Sequence, residues 1–366
     1  MRHVALLGTG LIGGSIGLGL RRGAPEIVVS GYDLDGPTLA RAIELGAVTI
    51  AGRDPATAVA GADVVVLAVP LGAIEPTLAA LGSAVPPDAV ITDVASAKAA
   101  VVAAGEKSYG ERFVGGHPMS GSERHGIEAA DAELFQDASW ILTPTARTSS
   151  TAYGVAARLA GVLGARVVAL DPAAHDDLVA RLSHLPQLVA SAIVDVAARA
   201  GDKDALLGLA GGGFRDVTRI AASKPDLWVS IIRTNKAAVL RALDRFGASL
   251  TGVAEMITAE RWDDLAGWLT SSRTARLELF AKPVHTGEPI ALSLMIPDRP
   301  GILAEVTTEA GRLGANIEDL RIVHSTEGGR GRLELVVAGT EAADALASAL
   351  NALGYHVERP DINFST

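Results

Sequence analysis

A histidine, two serines, an arginine and a spaced set of glycines are the residues of this chain whose types and neighbours suit chemistry. His117 stands in Gly115-Gly116-His117-Pro118-Met119-Ser120-Gly121-Ser122-Glu123, directly after an apolar strand and before small polar residues. A neutral imidazole in such a place can take a proton from a substrate hydroxyl. Asp93-Val94-Ala95-Ser96-Ala97-Lys98 follows another strand. Ser96 can hydrogen-bond a base such as His117 and fix its ring, while Lys98 can meet an anion. The same residues also fit a helix N-cap at Ser96 with Lys98 in solvent. Gly211-Gly212-Gly213-Phe214-Arg215-Asp216 interrupts a helical region. Three glycines are costly in a helix, so they suggest a break that brings backbone close to something. Arg215 behind them is a fork suited to a carboxylate, with Asp216 to orient it; a surface salt bridge is the alternative. His184, in Ser183-His184-Leu185-Pro186-Gln187, either faces a cleft or packs at a proline kink. His175-Asp176 reads as a structural hydrogen-bonded pair.

The glycines specify a cofactor. Gly8-Thr9-Gly10-Leu11-Ile12-Gly13 follows the apolar run Val4–Leu7 and opens into a helical pattern. Gly8 permits the tight turn, Gly10 lets backbone N–H groups approach a pyrophosphate, and Gly13 lets the helix pack close to its strand. The positive end of the helix then faces the anion, with Leu11 and Ile12 in its first turn. A second apolar run, Ile27–Tyr32, ends at Asp33, twenty residues after Gly13. A carboxylate there accepts hydrogen bonds from the adenosine ribose and repels a 2′-phosphate, which favours NAD. A glycine-rich turn serving helix packing alone is the competing reading. With NAD in place, His117 can take a proton from a hydroxyl as hydride leaves the same carbon. No metal site is expected.

The elements that must position these residues follow from the periodicity. Apolar runs at 62–70, 89–93, 112–116, 139–143 and 166–170 alternate with helical patterns, which predicts a parallel, doubly wound, Rossmann-like α/β sheet over residues 1–170. Ligands in such sheets sit beyond the carboxyl ends of the strands, where Pro70, Ser96 and His117 all fall. Residues 171–281 read as an all-helical domain that completes a substrate cleft or forms a dimer interface. After a linker at Lys282–Pro289, residues 288–366 read as a ferredoxin-like βαββαβ unit. Its first turn, Asp298-Arg299-Pro300-Gly301, can hold a small ligand's carboxylate at a helix start, or is a plain strand–helix loop.

Composition narrows the partners. A net charge of −10 argues against nucleic acid and anionic membranes. The absence of cysteine excludes disulfides, thiolate metal sites and cysteine nucleophiles. Arg2 followed by apolar residues imitates a signal peptide, but the interrupting glycines form the nucleotide pattern instead. With no apolar span long enough for a bilayer, a cytoplasmic protein is expected.

Taken together, the chain resembles the prephenate dehydrogenase family, which includes arogenate dehydrogenases, over nearly its whole length. The blocks that carry the resemblance are Gly8–Ser15, Gly116–Glu123, Ser183–Pro186 and Gly213–Ala221, in that order. Pro297–Gly301 looks like the ligand loop of an ACT domain, a regulatory amino-acid-binding module. The resemblance implies NAD-dependent oxidative decarboxylation of prephenate to 4-hydroxyphenylpyruvate in tyrosine biosynthesis. It implies that His117 bonds the ring hydroxyl and assists its deprotonation, that Ser96 orients His117, and that Arg215 binds a substrate carboxylate. His184 and Ser120 would line the substrate site. Asp298, Arg299, Pro300 and Gly301 would bind an aromatic amino-acid effector such as tyrosine, and a homodimer is implied. Gln187 stands where some members carry a second histidine, and His125 is not a residue expected at its place. The competing readings are arogenate as substrate, a β-hydroxyacid dehydrogenase, and a non-catalytic amino-acid sensor that keeps the nucleotide fold.

Overall fold

The computed structural model describes residues 1–120, 124–199, 210–279, 289–297, 302–315, 317–324 and 330–360. The chain divides into two compact units, Met1–Gly252 and Val253–Thr366.

The first unit is built on an eight-stranded sheet. Its strands are β1 (His3–Leu7), β2 (Val28–Tyr32), β3 (Ile50–Ala51), β4 (Val64–Leu67), β5 (Val90–Asp93), β6 (Phe113–Pro118), β7 (Ser139–Thr143) and β8 (Arg166–Ala169), in the order β3-β2-β1-β4-β5-β6-β7-β8. Helices α1 (Leu11–Gly23), α2 (Gly36–Glu44), α3 (Pro55–Val59), α4 (Ile74–Leu81), α5 (Ala99–Tyr109) and α6 (Ser150–Val162) connect them. The central strands are apolar on both faces because helices cover both. Val4, Leu6, Val64 and Val66 pack with Ile16 and Leu20 of α1 and Leu159 of α6. Their neighbours Ala5, Leu7, Val65 and Leu67 turn the other way, onto Ile74 and Leu78 of α4 and Val101 and Val102 of α5. This two-residue alternation follows from the pleat. The arrangement is Rossmann-like.

Two features differ from the sequence reading. The expected parallel sheet contains one antiparallel pair, β6 with β7, in the register Gly115↔Thr143 to Pro118↔Trp140. A parallel return needs a helical crossover; among the described residues this connection holds only the short 3₁₀ turn Ile127–Ala129. Strand β3 is a two-residue edge, too short for a periodicity to announce.

Helices then dominate: α7 (Pro172–Val179), a π-helical turn (Ala180–His184), α8 (Leu185–Ala198), α9 (Gly212–Thr218), α10 (Pro225–Thr234), α11 (Lys236–Thr258) and α12 (Trp262–Leu279). Asp171 caps α7 by accepting from the Ala173 and Ala174 amides, with Pro172 preset at the first helical position. A core of Ala180, Ala238, Val239 and Ala242 packs α11 against the π turn.

The second unit contains the end of α11, α12 and a four-stranded antiparallel sheet of order β10-β11-β9-β12. Its elements run β9 (Pro289–Pro297), α13 (Ile302–Arg312), β10 (Ile317–His324), β11 (Arg330–Ala338), α14 (Thr340–Ala352) and β12 (Val357–Glu358). Leu292, Leu294, Leu333 and Leu335 of the sheet bury against Val306, Leu346 and Leu350 of the helices. Asp298, Arg299, Pro300 and Gly301 lie outside the described residues.

Candidate active site

A cavity of about 890 Å³ lies beyond the carboxyl ends of β1, β4, β5 and β6. At one end its wall is Gly8, Gly10, Leu11, Ile12, Tyr32, Asp33 and Leu34. At the other it is Ser96, His117, Ser120 and His125, closed over by Leu227 and Ile231 of α10. Pro70 lies on the wall as well. The volume falls in the range of small-molecule and cofactor sites.

The first end fits a dinucleotide on steric grounds. Gly8 has φ +93, and a Cβ there would sit 2.3 Å from the Ala68 carbonyl oxygen. A Cβ on Gly13 would sit 2.0 Å from the Gly8 carbonyl oxygen, so Gly13 serves helix–strand contact and is not on the wall. Gly10 has open space where its Cβ would be, within a 4 Å radius. That space opens at the N-terminus of α1, whose first turn holds no acidic side chain. A phosphate can therefore approach the helix dipole unopposed. Asp33 is braced for a ligand: one oxygen accepts from the Thr9 amide at 2.7 Å and the other from the Asp35 amide at 3.0 Å. The Thr9 hydroxyl also donates to the first oxygen at 3.2 Å, which leaves a lone pair on the second to accept from a ribose hydroxyl.

The second end is a chain of hydrogen bonds. His117 Nδ1 lies 2.8 Å from His175 Nε2, and His175 Nδ1 lies 2.9 Å from Asp176 Oδ1. Asp176 also accepts from the Lys98 amide at 2.7 Å and the Ala99 amide at 2.9 Å, so it caps the N-terminus of α5. Burial works to raise the Asp176 pKa. The hydrogen bonds from His175 and the two amides outweigh it and hold the carboxyl below its ordinary value. An ionised Asp176 accepts only, so His175 donates from Nδ1. With both rings neutral, His175 Nε2 then accepts from the His117 Nδ1–H, and His117 Nε2 is left as the lone-pair nitrogen. Burial first, then the Lys98 ammonium, push the His117 pKa well below its ordinary value, and protonation of His175 or His184 would lower it further. The ring is an unprotonated acceptor at neutral pH.

The ring of His117 is thus held by His175, and Ser96 makes no hydrogen bond to it among the described residues. His175 occupies the Nδ1 position of the ring, and Ser96 lies with His117 on the wall of the same cavity. Helix α5 begins at Ala99 with Lys98 as its cap residue, so Ser96 is not an N-cap either. Lys98 is not solvated; it is fully buried and paired with Asp93. Ser120 lies on the wall, its hydroxyl donating to the Leu134 carbonyl.

Two expected substrate-site residues are not on the cavity wall. His184 is buried in the π turn, 3.3 Å from Asn235 Nδ2 and edge-on to Trp228. Burial, opposed by Asp176, lowers its pKa to about 4. Asn235 Nδ2 also donates to the Asp176 carbonyl at 2.8 Å, which ties the histidine to the relay. Arg215 is exposed on α9, and the described lining holds no arginine or lysine. The triple glycine caps and opens α9 at Gly211, and among the described residues no atom outside the adjoining backbone lies within 4 Å of the Cβ positions of Gly211, Gly212 or Gly213. Gln187 is buried with its carbonyl oxygen unpartnered. Asn235, Leu227 and Ile231 carry no sequence signal; the His175-Asp176 dipeptide offers one, as a structural pair.

The comparisons with known proteins agree with this geometry. The model of the prephenate dehydrogenase nucleotide-binding domain matches residues 16–169, and that of the prephenate dehydrogenase dimerization domain matches residues 171–271. A prephenate dehydrogenase of Bacillus subtilis is 32% identical over 343 residues, covering 91% of each chain. The chain belongs to the prephenate dehydrogenase family. Among solved structures, the prephenate dehydrogenase of A. aeolicus in complex with hydroxyphenyl propionate and NAD+ superposes with a TM-score of 0.72 at 32% identity. It covers 76% of this chain and 98% of that one. The Synechocystis arogenate dehydrogenase gives a TM-score of 0.69 at 31% identity, covering 76% and 99%. The family resemblance read from the four sequence blocks is therefore correct. No helix among the described residues is long and apolar enough to cross a membrane.

Proposed function

We propose that this chain is an NAD-dependent prephenate dehydrogenase that converts prephenate to 4-hydroxyphenylpyruvate and carbon dioxide. The observation that carries the reading is the placement of His117 Nε2, an unprotonated acceptor, in the same cavity as Gly10 and Asp33. When bound, NAD supplies the acceptor for the hydride that leaves the hydroxyl-bearing ring carbon. Gly8, Gly10, Leu11 and Ile12 would hold the pyrophosphate, Asp33 the ribose, and Pro70 the wall beside it. His117 would take the hydroxyl proton as the hydride departs. Loss of the ring carboxylate as carbon dioxide leaves its electron pair in the ring, which becomes aromatic, and the proton returns to the phenol oxygen. The protein then needs mainly orientation and charge placement. Ser96 and Ser120 would hydrogen-bond the substrate, His184 would support the site from behind, and Arg215 remains the proposed partner of a substrate carboxylate.

The test is NADH formation by the purified protein with prephenate and NAD, with arogenate alongside. His117→Asn should still bind NAD and lose about 100-fold or more in turnover, the scale of general base catalysis. Wild-type turnover in that variant would remove His117 from the mechanism. A rate with arogenate alone would favour the second reading, which the similarity to the Synechocystis arogenate dehydrogenase supports. No rate with either substrate would favour the sensor.

Two further parts belong to the same proposal. Residues 288–366 form an ACT-like, ferredoxin-like regulatory domain that binds tyrosine through Asp298, Arg299, Pro300 and Gly301; the βαββαβ element order supports it. Tyrosine inhibition that survives removal of residues 288–366 would move the effector to the catalytic cavity. The chain is a cytoplasmic homodimer, assembled through residues 171–281. The dimerization-domain match and the exposed Leu240, Leu250, Trp262 and Leu269 support the assembly. Light scattering on the purified protein tests it, and a monomer at micromolar concentration would exclude it.

A further inference from the structure

Behind His117 lies a feature that the proton-transfer reading does not use. Lys98 and Asp93 are both fully buried and paired with each other. The Lys98 ammonium also donates to the Gly116 carbonyl at 2.8 Å. Asp93 accepts from the Gly116 amide at 3.1 Å with one oxygen and from the Ala95 amide at 2.9 Å with the other. Both polar backbone groups of the residue before His117 are therefore tied to one ion pair.

The clamp occupies the place where the sheet stops holding β6 on that side. The β5–β6 ladder covers only Ile91↔Phe113 and Thr92↔Val114, so Gly116 has no partner from β5 backbone pairing. The two glycines make room for it. A Cβ on Gly115 would lie 2.4 Å from Thr143 Oγ1, 2.7 Å from Val102 Cγ2 and 3.3 Å from the Lys98 stem. One on Gly116 would lie 2.5 Å from the Asp93 carbonyl oxygen. A buried ion pair gives little net stability compared with well-packed apolar side chains, so its place beside the cavity calls for another reason.

We propose that Asp93 and Lys98 are positioning residues for His117: the pair clamps the Gly116 peptide at the end of β6 and sets a fixed positive charge behind the imidazole. The proposal rests on His117 as the proton acceptor. The groups facing His117 are Lys98 at the start of α5, His175 of α7 and His184 of the π turn. Asp93 stands at the end of β5, Asp176 behind His175, and His125 on the same cavity wall. Lys98 is the lysine of this set, and its charge opposes protonation of the ring. Burial lowers the ammonium's own pKa, and Asp93 opposes that shift.

The test is an NMR titration of the His117 ring in NAD-bound protein, the signal assigned by its loss in His117→Asn, together with the pH profile of kcat/KM. Lys98→Met keeps most of the stem and removes the charge. The double variant D93N/K98M removes both charges at nearly constant volume and decides the matter if the single variant does not fold. The His117 midpoint should rise by about one pH unit or more. The acid limb of kcat/KM should move up with it, and kcat should fall about tenfold while KM for NAD is unchanged. A midpoint and a kcat both within about twofold of wild type would overturn the proposal. Undiminished turnover in His117→Asn would instead remove the proton-acceptor reading, whatever the midpoint does.

Discussion

His117 Nδ1 lies 2.8 Å from His175 Nε2, across 58 positions of sequence and from a different domain of the family. Strand β6 supplies the first ring and helix α7 the second. The candidate base is therefore assembled where the nucleotide-binding and helical parts meet. Asp176 serves both sides at once, because it fixes the His175 tautomer and caps α5 of the nucleotide-binding domain.

Breaking that relay should cost rate and spare cofactor affinity. In His175→Phe the His117 Nδ1–H loses its acceptor and the ring is free to take the other tautomer. We expect kcat to fall about tenfold or more, with the Kd for NAD unchanged. Stopped-flow and fluorescence titration separate the two quantities. Equal losses in both would point to a general packing defect.

The two inner glycines of the nucleotide turn should behave differently when each is changed to alanine. Gly10→Ala adds a methyl into open space, so thermal stability should stay near wild type while NAD binding weakens. Gly13→Ala pushes a methyl to 2.0 Å from the Gly8 carbonyl, so the melting temperature should fall. Calorimetry with and without NAD tests both. A Gly10→Ala protein with wild-type NAD affinity would mean that the phosphates lie elsewhere.

Asp33 should govern the choice between NAD and NADP. Asp33→Ala removes an acceptor for the ribose and the repulsion of a 2′-phosphate. KM for NAD should rise about tenfold, the cost of a lost charge-assisted hydrogen bond, while NADP becomes a better substrate. An unchanged NAD/NADP ratio would place the ribose away from this carboxylate.

Acid should weaken the fold before it titrates the carboxylates. His184 has a folded pKa of about 4 through burial, below the ordinary histidine value. Its contribution is fully present above about pH 6.5 and is lost as pH falls toward 4. The loss from this group is at most about 3 kcal/mol. His117 is shifted in the same direction, so it adds to the same window. Asp176, held below its ordinary value, contributes stability above that value and loses it only at lower pH. Urea unfolding at a series of pH values should show the decline between about pH 6.5 and 4, flattened in His184→Gln. A flat wild-type profile there would contradict the burial of a neutral His184.

Much of the nucleotide end was legible in the sequence, because its requirements are local. Gly8, Gly10 and Gly13 answer to a turn and a close helix–strand approach within one βαβ segment, and Asp33 ends the next strand. The alternation of apolar runs also announces a sheet covered on both faces, since the pleat repeats every two residues. His117 stood out because it ends a strand at the crevice. What only the tertiary structure decided are contacts between distant segments. No spacing relates His117 to His175, so the ring's partner was assigned to Ser96, which is nearer in the sheet. Lys98 reads from the sequence either as a partner for an anion or as a solvated lysine, because its charge says nothing about Asp93 and the Gly116 carbonyl lying within reach. The antiparallel turn of β7 depended on a connection without a crossover helix. Local patterns specify elements and the sites built inside one of them; the partners of a buried polar group are set by packing.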